Sequence, residues 1–271
     1  MKKIIFQGGL ILLLFFGMWT TFAQIDWLKI FRVKQISYKT EQKLGDFFWD
    51  IFKKSEVENH DSFVINKVDS ITNRICKDNH IERKKIKLHI LNNEIVNAFA
   101  LPDGHLIVYS GLISACENPE ELAGVLCHEI AHIEEQHVMK KLVKEIGLSV
   151  VISISTGNAG GEIIKEATKT ITSSSFDRKL EKEADIKAVD YLIQAKINPK
   201  HFANFLFKLS MEEPNAIKYL SWINTHPDSE ERAEYIINHS KTTKSTFKPI
   251  LSPSSWQQVH KILDQTLQIG D

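Results

Sequence analysis

Two histidines and a glutamate near the middle of the chain have the spacing that metal chemistry needs. His128, Glu129 and His132 form a His-Glu-x-x-His string inside a segment whose apolar pattern predicts one amphipathic helix. Residues four apart lie on one helical face, about 40° apart, so both imidazoles can reach one ion. Glu129 lies about 100° round from His128 and can stand beside that ion. The string therefore predicts two ligands and the general base of a catalytic zinc site.

A third ligand must come from elsewhere in the chain, and two arrangements can supply one. The first is a third histidine, as in His-Glu-x-x-His-x-x-Gly-x-x-His. Glu135 and Val138 stand at the glycine and histidine positions here, which excludes that class of site. The second is a glutamate on a separate downstream helix. The charged segment 178–185 offers candidates for this role.

The helical positions within that segment separate its acidic residues. Glu181 and Asp185 are four apart and share a face, whereas Glu183 points about 200° away from Glu181. We expect Glu181 to bind the metal and Asp185 to hold the other ring nitrogen of a ligand histidine. Glu183 is expected to be a solvated charge. His137, about 140° round the helix from His132, is predicted to be a surface or hydrogen-bonding residue rather than a ligand.

The helix that carries the string has a clear predicted start. Asn118 can cap it and Pro119 suits its first turn. Glu120 and Glu121 favour the positive end of the helix dipole. Helical character then continues to about Ile146.

Three short segments before this helix have the alternation or the β-branched content of strands. They are residues 86–90, 95–101 and 105–109, and a Pro-Asp-Gly turn signal separates the last two. They predict a small antiparallel sheet directly before the string. A helix is predicted at about 62–76, before these segments, and further helices are predicted at about 176–194, 199–210, 228–238 and 256–267. The fold class is therefore α+β and mainly helical.

Two other features have ordinary interpretations. Residues 147–161 are too short and polar to span a membrane. We expect an ordinary connector there, with a flap over the site as the alternative. Arg232 follows Asp228 by four residues on one helical face and is expected only to form a local ion pair.

Length and composition limit the remaining choices. The 271 residues, 43% hydrophobic and 25% charged, suit one globular domain, and a net charge of zero does not indicate a nucleic-acid partner. Residues 1–23 combine a basic start, an apolar run and a small-x-small site, which predicts a signal peptide cleaved after Ala23. An uncleaved membrane anchor is the alternative. Cys76, Cys116 and Cys127 leave any disulfide pairing open, although Cys127 is expected to pack inside its helix.

Further blocks of sequence lie before and after the string, in an order shared with one known family. They are Asn97-Ala98-Phe99-Ala100-Leu101-Pro102 with Gly104, Gly111-Leu112, Glu121-Leu122-Ala123, residues 178–185, and Thr225-His226-Pro227 with Arg232. Together they resemble the HtpX and CAAX-prenyl-endopeptidase family of gluzincin zinc metallopeptidases, metallopeptidase family 48. The resemblance covers about residues 41–236.

Two differences from the pattern of that family indicate which of its branches the chain resembles. Asp103 stands where the family often has glycine. The segment after the string is too short for the membrane hairpin of integral members, so the chain resembles the soluble, exported bacterial branch. The resemblance implies a zincin-like metallopeptidase domain over 24–271, with a family-like core at 41–240 and a helical extension at 241–271.

The resemblance also implies the roles of the site residues. One zinc ion per chain would be held by His128, His132 and Glu181, with a fourth position for water. Glu129 would act as the general base. His226 would lie near the metal, either as an oxyanion donor or as an occluding ligand. An extended peptide would lie along the strand edge formed by Asn97, Ala98, Phe99 and Ala100.

Backbone pairing along a strand edge has little sequence preference, which suits the removal of unfolded or misassembled exported proteins. We therefore expect a periplasmic zinc metalloendopeptidase, at most peripheral to the membrane, with extended peptides as substrates. Envelope assembly machinery is a candidate partner, and nucleic acid is not. The rivals are a zinc-bearing periplasmic chaperone or assembly factor with latent proteolysis, and a hydrolase of non-peptide substrates. Glu129 argues for catalysis, since binding alone needs no general base.

Overall fold

The computed structural model describes residues 38–211, 217–241 and 246–269, together with scattered positions between 7 and 17. The chain forms two units, Met1–Ile36 and Ser37–Asp271. The described positions of the first unit are helical, and the predicted cleavage site after Ala23 lies outside the described residues. The second unit contains the His-Glu-x-x-His string.

The second unit begins with alternating helices and short strands and continues as helices. Its first half comprises α1 (Tyr38–Ser55), β1 (Val57–Glu58), α2 (Ser62–Asp78), β2 (Lys87–Asn92), β3 (Ala98–Ala100), β4 (His105–Tyr109), α3 (Ser110–Ala115) and α4 (Pro119–Glu134). Its second half comprises α5 (His137–Ile146), α6 (Leu148–Ser155), α7 (Gly161–Ser173), α8 (Arg178–Gln194), α9 (Lys200–Met211), α10 (Ile217–Thr225), α11 (Ser229–Ser240) and α12 (Pro253–Ile269). The predicted α+β, mainly helical fold class is confirmed.

The four strands form one sheet in the order β1-β2-β4-β3. β1 is antiparallel to β2 and β3 is antiparallel to β4, but β2 and β4 run parallel. The sheet is therefore mixed, and the prediction of an antiparallel sheet was wrong for this central pair. Alternation of apolar residues indicates which face of a strand is buried, but it does not indicate the direction of its neighbour. In the strand order given above, β3 lies at one edge of the sheet.

Helix α4, which carries the string, lies in the centre of the core. Its start is as predicted, since Asn118 Oδ1 accepts a hydrogen bond of 3.0 Å from the Glu121 N–H. Every residue from Leu122 to His132 is buried. A side chain at Gly124 would place its Cβ 2.4 Å from that of Phe202, so α4 and α9 approach closely at this glycine.

The predicted helix extension to Ile146 was wrong in one respect. Helix α4 ends at Glu134, and Gln136 adopts a left-handed conformation (φ 55°, ψ 33°) before α5 begins at His137. The connector expected at 147–161 contains the eight-residue helix α6. The helices predicted at 62–76, 176–194, 199–210, 228–238 and 256–267 match α2, α8, α9, α11 and α12, with bounds that differ by up to three residues.

Cys76, Cys116 and Cys127 are buried and free, so none of the three open disulfide pairings is formed. Among the described residues, the helices are all too short or too polar to cross a bilayer.

Candidate metal centre

Four side chains that can bind a metal converge between α4, α8 and the end of α10. His128 and His132 come from adjacent turns of α4, Glu181 comes from the first turn of α8, and His226 directly follows α10. Each of the four is at most 2% exposed. One potential ligand atom from each lies within 4.8 Å of the others.

The spacing of these atoms suits tetrahedral coordination. His128 Nε2 lies 3.0 Å from His132 Nε2 and 3.2 Å from His226 Nδ1. Glu181 Oε1 lies 3.2 Å from His132 Nε2 and 3.0 Å from His226 Nδ1. Ligand atoms about 2.0–2.1 Å from a tetrahedral zinc ion are about 3.3 Å apart. The donor set of three imidazoles and a carboxylate therefore fits zinc in both type and spacing.

The charges in this group are set by burial and by close partners. Burial lowers the pKa of His132 to about 4 and that of His226 to about 3, which leaves both rings neutral near pH 7. Burial raises the pKa of Glu181, but the nearby His226 and Arg232 hold it well below its ordinary value. The site therefore offers neutral nitrogens beside an ionised carboxylate, as a zinc site requires.

Asp185 lies behind His128, on the side away from the converging donors. Its Oδ1 is 2.8 Å from His128 Nδ1, and its Oδ2 accepts hydrogen bonds from Arg232 Nε at 2.7 Å and from the Tyr235 hydroxyl. Although burial raises the pKa of Asp185, Arg232 and His128 lower it well below its ordinary value. An ionised carboxylate at this distance can hold a proton on His128 Nδ1, which would leave Nε2 free to bind a metal.

The prediction for Arg232 was wrong. Its side chain is 2% exposed and contacts Glu181 (Nη1 to Oε2, 2.9 Å) as well as Asp185. Asp228 is paired instead with Arg178 (Nε to Oδ2, 3.0 Å). Asp228 is a left-handed residue outside helix α11, so the spacing rule for helical neighbours does not apply to it. The matching Thr-His-Pro and Arg block was the only sequence signal for the buried position of Arg232.

His137 is fully buried rather than at the surface. Its Nδ1 lies 3.0 Å from His132 Nδ1, and its Nε2 lies 3.5 Å from Glu183 Oε2. Burial, with the nearby His132, lowers its pKa to about 2. The prediction that His137 is not among the converging ligands agrees with this position. Glu183 keeps a partly exposed carboxylate, as predicted.

Glu129 stands beside the group rather than within it. Its Oε2 accepts a 3.0 Å hydrogen bond from the Ala100 N–H. Its Oε1 lies 3.4 Å from His226 Nε2 and has no hydrogen-bond partner among the described residues. Burial and the charge of Glu181 raise the pKa of Glu129 well above its ordinary value. A carboxyl group with a raised pKa is a stronger base than an ordinary glutamate.

The hydrogen bond from Ala100 connects the site to the edge strand β3. Ala100 pairs with Leu106 and Ala98 pairs with Val108 across β4. The Asn97 carbonyl bonds to β4, so the backbone groups of Ala98 and Ala100 point to the opposite, outer side. The Asn97 side chain donates to Ser221 Oγ at 2.8 Å, and the Phe99 ring packs against Phe52. The structure therefore brings the outer edge of β3 beside Glu129.

The segment before α8 covers the group, which the sequence did not reveal. Phe176 stacks on His132 with ring centroids 4.2 Å apart, and its N–H donates to the Thr225 carbonyl at 3.4 Å. Lys141 Nζ lies 4.2 Å from the Phe176 ring centroid and donates to the Ser174 carbonyl. Burial lowers the pKa of Lys141 to about 8, although Glu181 and Glu129 act in the other direction.

The His-Glu-x-x-His string lies on a central helix with two further donors beside it, an arrangement that could hold the metal of a metallopeptidase. The sequence profile of peptidase family M48 matches residues 65–239, which is well over half of the chain, and the chain belongs to that family. The resemblance expected from the sequence blocks is thereby confirmed.

Several characterised proteins are similar to this chain. The beta-barrel assembly-enhancing protease of Yersinia pestis is 25% identical over 224 residues, which cover 77% of this chain and 46% of that protein. The mitochondrial metalloendopeptidase OMA1 of Schizosaccharomyces pombe is 27% identical over 62% of this chain and 51% of its own length. The metalloprotease LoiP of Escherichia coli K12 is 30% identical over 58% of this chain and 64% of its own. The chain thus spans about half the length of the first two relatives.

Proposed function

We propose that this chain is a zinc-dependent endopeptidase that cleaves unfolded or misassembled exported proteins. The observation that carries the proposal is a closed group of imidazole nitrogens and a carboxylate, with an unpaired carboxylate oxygen of Glu129 beside it. Lone pairs that converge in a buried site repel one another unless protons or a cation lie between them. A single zinc ion per chain accounts for this convergence.

His128, His132 and Glu181 are the proposed zinc ligands, because two imidazoles and a glutamate form a common catalytic donor set. When bound, zinc supplies Lewis acidity toward water and toward the carbonyl group of a peptide bond. The ring nitrogens that face away from the group are held by Asp185 and His137. The ligand geometry is thus largely set by the protein itself.

Glu129 is the proposed general base. Ala100 anchors one of its oxygens, and the other faces the converging side chains. Its raised pKa lets it accept a proton from the attacking water and later release it to the leaving amine.

His226 is the proposed occluding ligand rather than an oxyanion donor. Its Nδ1 lies 3.2 Å from His128 Nε2 and 3.0 Å from Glu181 Oε1, where a fourth donor of the same ion would lie. Water needs this position during catalysis. The arrangement therefore corresponds to a latent form, and His226 must move before a peptide can be cleaved.

The peptide substrate is proposed to lie along the outer edge of β3. The backbone groups of Ala98 and Ala100 point outward there and can pair with an extended chain, while Asn97 and Phe99 fix the strand from behind. Backbone pairing selects extended, unfolded segments over folded ones. The Ala100 N–H would have to be shared between the peptide and Glu129.

The proposed site of action is the periplasm. Residues 1–23 have the pattern of a signal peptide with cleavage after Ala23, which leaves residues 24–271 as one metallopeptidase domain. The name of the Yersinia pestis relative refers to β-barrel assembly, and we extend that context to this chain as a proposal. Envelope assembly machinery is then a partner, nucleic acid is not, and membrane contact is at most peripheral.

The first experiment measures metal content and proteolysis together. The purified mature chain is expected to carry about one zinc ion and to cleave an unfolded casein-like substrate. Glu129→Gln should retain zinc and lose cleavage by about 100-fold or more. Glu181→Ala should lose zinc, whereas Glu162→Ala on exposed α7 should not. Equal cleavage by wild type and Glu129→Gln would refute the mechanism.

The second candidate function is a zinc-bearing chaperone or assembly factor with latent proteolysis. The position of His226 in the donor group is the observation that favours latency. A chaperone would suppress aggregation of an unfolded protein equally well as wild type and as Glu129→Gln, without cleaving it. Cleavage by the wild type alone would favour the peptidase.

A further inference from the structure

We propose that His137 is a positioning residue that sets the tautomer of His132 and that Glu183 completes this arrangement from the outer side. The inference rests on the zinc site proposed above and adds two residues that do not bind the metal.

The break between α4 and α5 is what brings His137 to the site. In a continuous helix its ring would lie about 140° round from His132. Instead Gln136 adopts a left-handed conformation, which is unfavourable for a residue with a side chain, and α5 begins directly after it. The two rings then meet edge to face, with centroids 4.9 Å apart at 74°. The unfavourable conformation therefore coincides with a specific contact to a proposed ligand.

The contact between the two rings carries one proton. His132 Nδ1 and His137 Nδ1 are 3.0 Å apart, which is hydrogen-bond distance and leaves room for a single hydrogen. His132 can offer a lone pair at Nε2 only if its own proton is on Nδ1. His137 Nδ1 must then accept that proton's hydrogen bond. This makes His137 neutral, with its remaining proton on Nε2.

The Nε2 of His137 faces a carboxylate. It is buried and has no hydrogen-bond partner among the described residues, and Glu183 Oε2 lies 3.5 Å away. Glu183 is partly exposed, so its side chain can close this distance by a small rotation. The result is a chain from Glu183 through His137 to His132. It parallels the contact of Asp185 with His128, so each histidine of the string has its own support.

The test compares zinc affinity across matched variants of the mature chain, using a competing chelator. His137→Phe removes the acceptor and should weaken zinc binding by about 10–100-fold. His137→Gln offers an amide oxygen as acceptor and should recover most of that loss. Glu183→Gln should have a smaller effect, of less than about tenfold. His260→Phe on α12 is the control for replacing a histidine elsewhere and should leave zinc affinity unchanged.

A second measurement does not depend on any variant. Nitrogen-15 NMR of the zinc-loaded wild type should show a proton on His132 Nδ1 and on His137 Nε2. The opposite pattern for His137 would overturn the inference, as would equal zinc affinity of the wild type and His137→Phe. If the wild type binds no zinc at all, the proposed function fails first. If the metal-free wild type and His137→Phe have equal unfolding free energies, the loss of zinc affinity reflects positioning of His132 and not a general structural role of His137.

Discussion

At the scale of single residues, the charge at the site depends on one buried arginine. Arg232 lies against Glu181 and Asp185, and its guanidinium is the cation that holds both carboxylates ionised in a buried position. Removal of one partner from a buried ion pair leaves an uncompensated charge, which is more destabilising than the loss of the pair as a whole.

Arg232→Met should therefore destabilise the metal-free chain by about 3–5 kcal/mol. Urea unfolding followed by circular dichroism measures this change. Arg178→Met is the control, because Arg178 is 77% exposed and its contact with Asp228 should contribute less than about 1 kcal/mol. Similar effects of the two substitutions would contradict the assigned role of Arg232.

His226 gives a second prediction at this scale. If its imidazole occupies the fourth donor position for about nine tenths of the time, its removal should raise cleavage of an unfolded substrate by up to about tenfold. The measured quantities are kcat/KM and zinc content of His226→Ala, with zinc retained by the other three side chains. A fall in kcat of about 100-fold with zinc retained would instead indicate an oxyanion donor.

At the scale of elements, the segment that joins α7 to α8 closes the site. Phe176 lies on His132, and Lys141 of α5 holds this segment through the Ser174 carbonyl. The cover and the ligand histidine therefore come from elements far apart in sequence.

Phe176→Ala should speed the removal of zinc by a chelator by a factor of about 2–10, because an aromatic stacking contact contributes about 0.5–1.5 kcal/mol. Phe176→Leu keeps an apolar side chain without a stacked ring. Its rate of zinc removal should lie between the rates of the wild type and Phe176→Ala. Equal rates for all three chains would show that the ring does not limit access to the metal.

At the scale of the whole molecule, α1 packs on the sheet through a second pair of histidines, of which His105 is buried and His89 is partly exposed. The His89 ring stacks on Trp49 of α1. Its Nε2 atom lies 3.0 Å from His105 Nδ1. Burial lowers the pKa of His89 to about 3 and that of His105 to about 4, with the nearby Lys87 acting in the same direction. Asp46 and Asp103 act in the opposite direction at His105. Lys87 lies 3.1 Å from His105 Nε2, so it already supplies a cation to this group.

Stability should therefore fall as the solution is acidified from about pH 6.5 toward pH 4. In that range the unfolded chain binds protons at His89 and His105 and the folded chain does not, so the unfolding free energy decreases with falling pH. The slope is at most about 1.4 kcal/mol per pH unit for each histidine. The difference in unfolding free energy between pH 7 and pH 5, measured with urea, should be smaller for the double variant His89→Gln/His105→Gln than for the wild type. An unchanged pH dependence would contradict the assignment.

Much of the site could be predicted from the sequence because its information is local. The four-residue spacing of His128 and His132 places both rings on one face of any helix, and Asn118 and Pro119 mark where that helix starts. The same helical spacing places Glu181 and Asp185 on one face and Glu183 on another. Strands β2, β3 and β4, most of the helix bounds and the family could likewise be recognised from short patterns and blocks.

Other features depended on contacts between distant segments. The parallel pairing of β2 with β4, the buried position of Arg232 and the cover formed by Phe176 involve partners that no local pattern identifies. The turn at Gln136 is local, but its conformation is disfavoured by the residue itself and is stable only with the packing around His137.

The sequence by itself thus determined the chemistry offered by this protein: two histidines and a glutamate on one helix, an acidic partner helix, and the peptidase family. Only the tertiary structure decided which groups are buried together and how their charges are compensated. The physical reason is that periodicity acts over one or two helical turns, whereas burial and pairing depend on segments that can be about a hundred residues apart, such as those of His128 and His226.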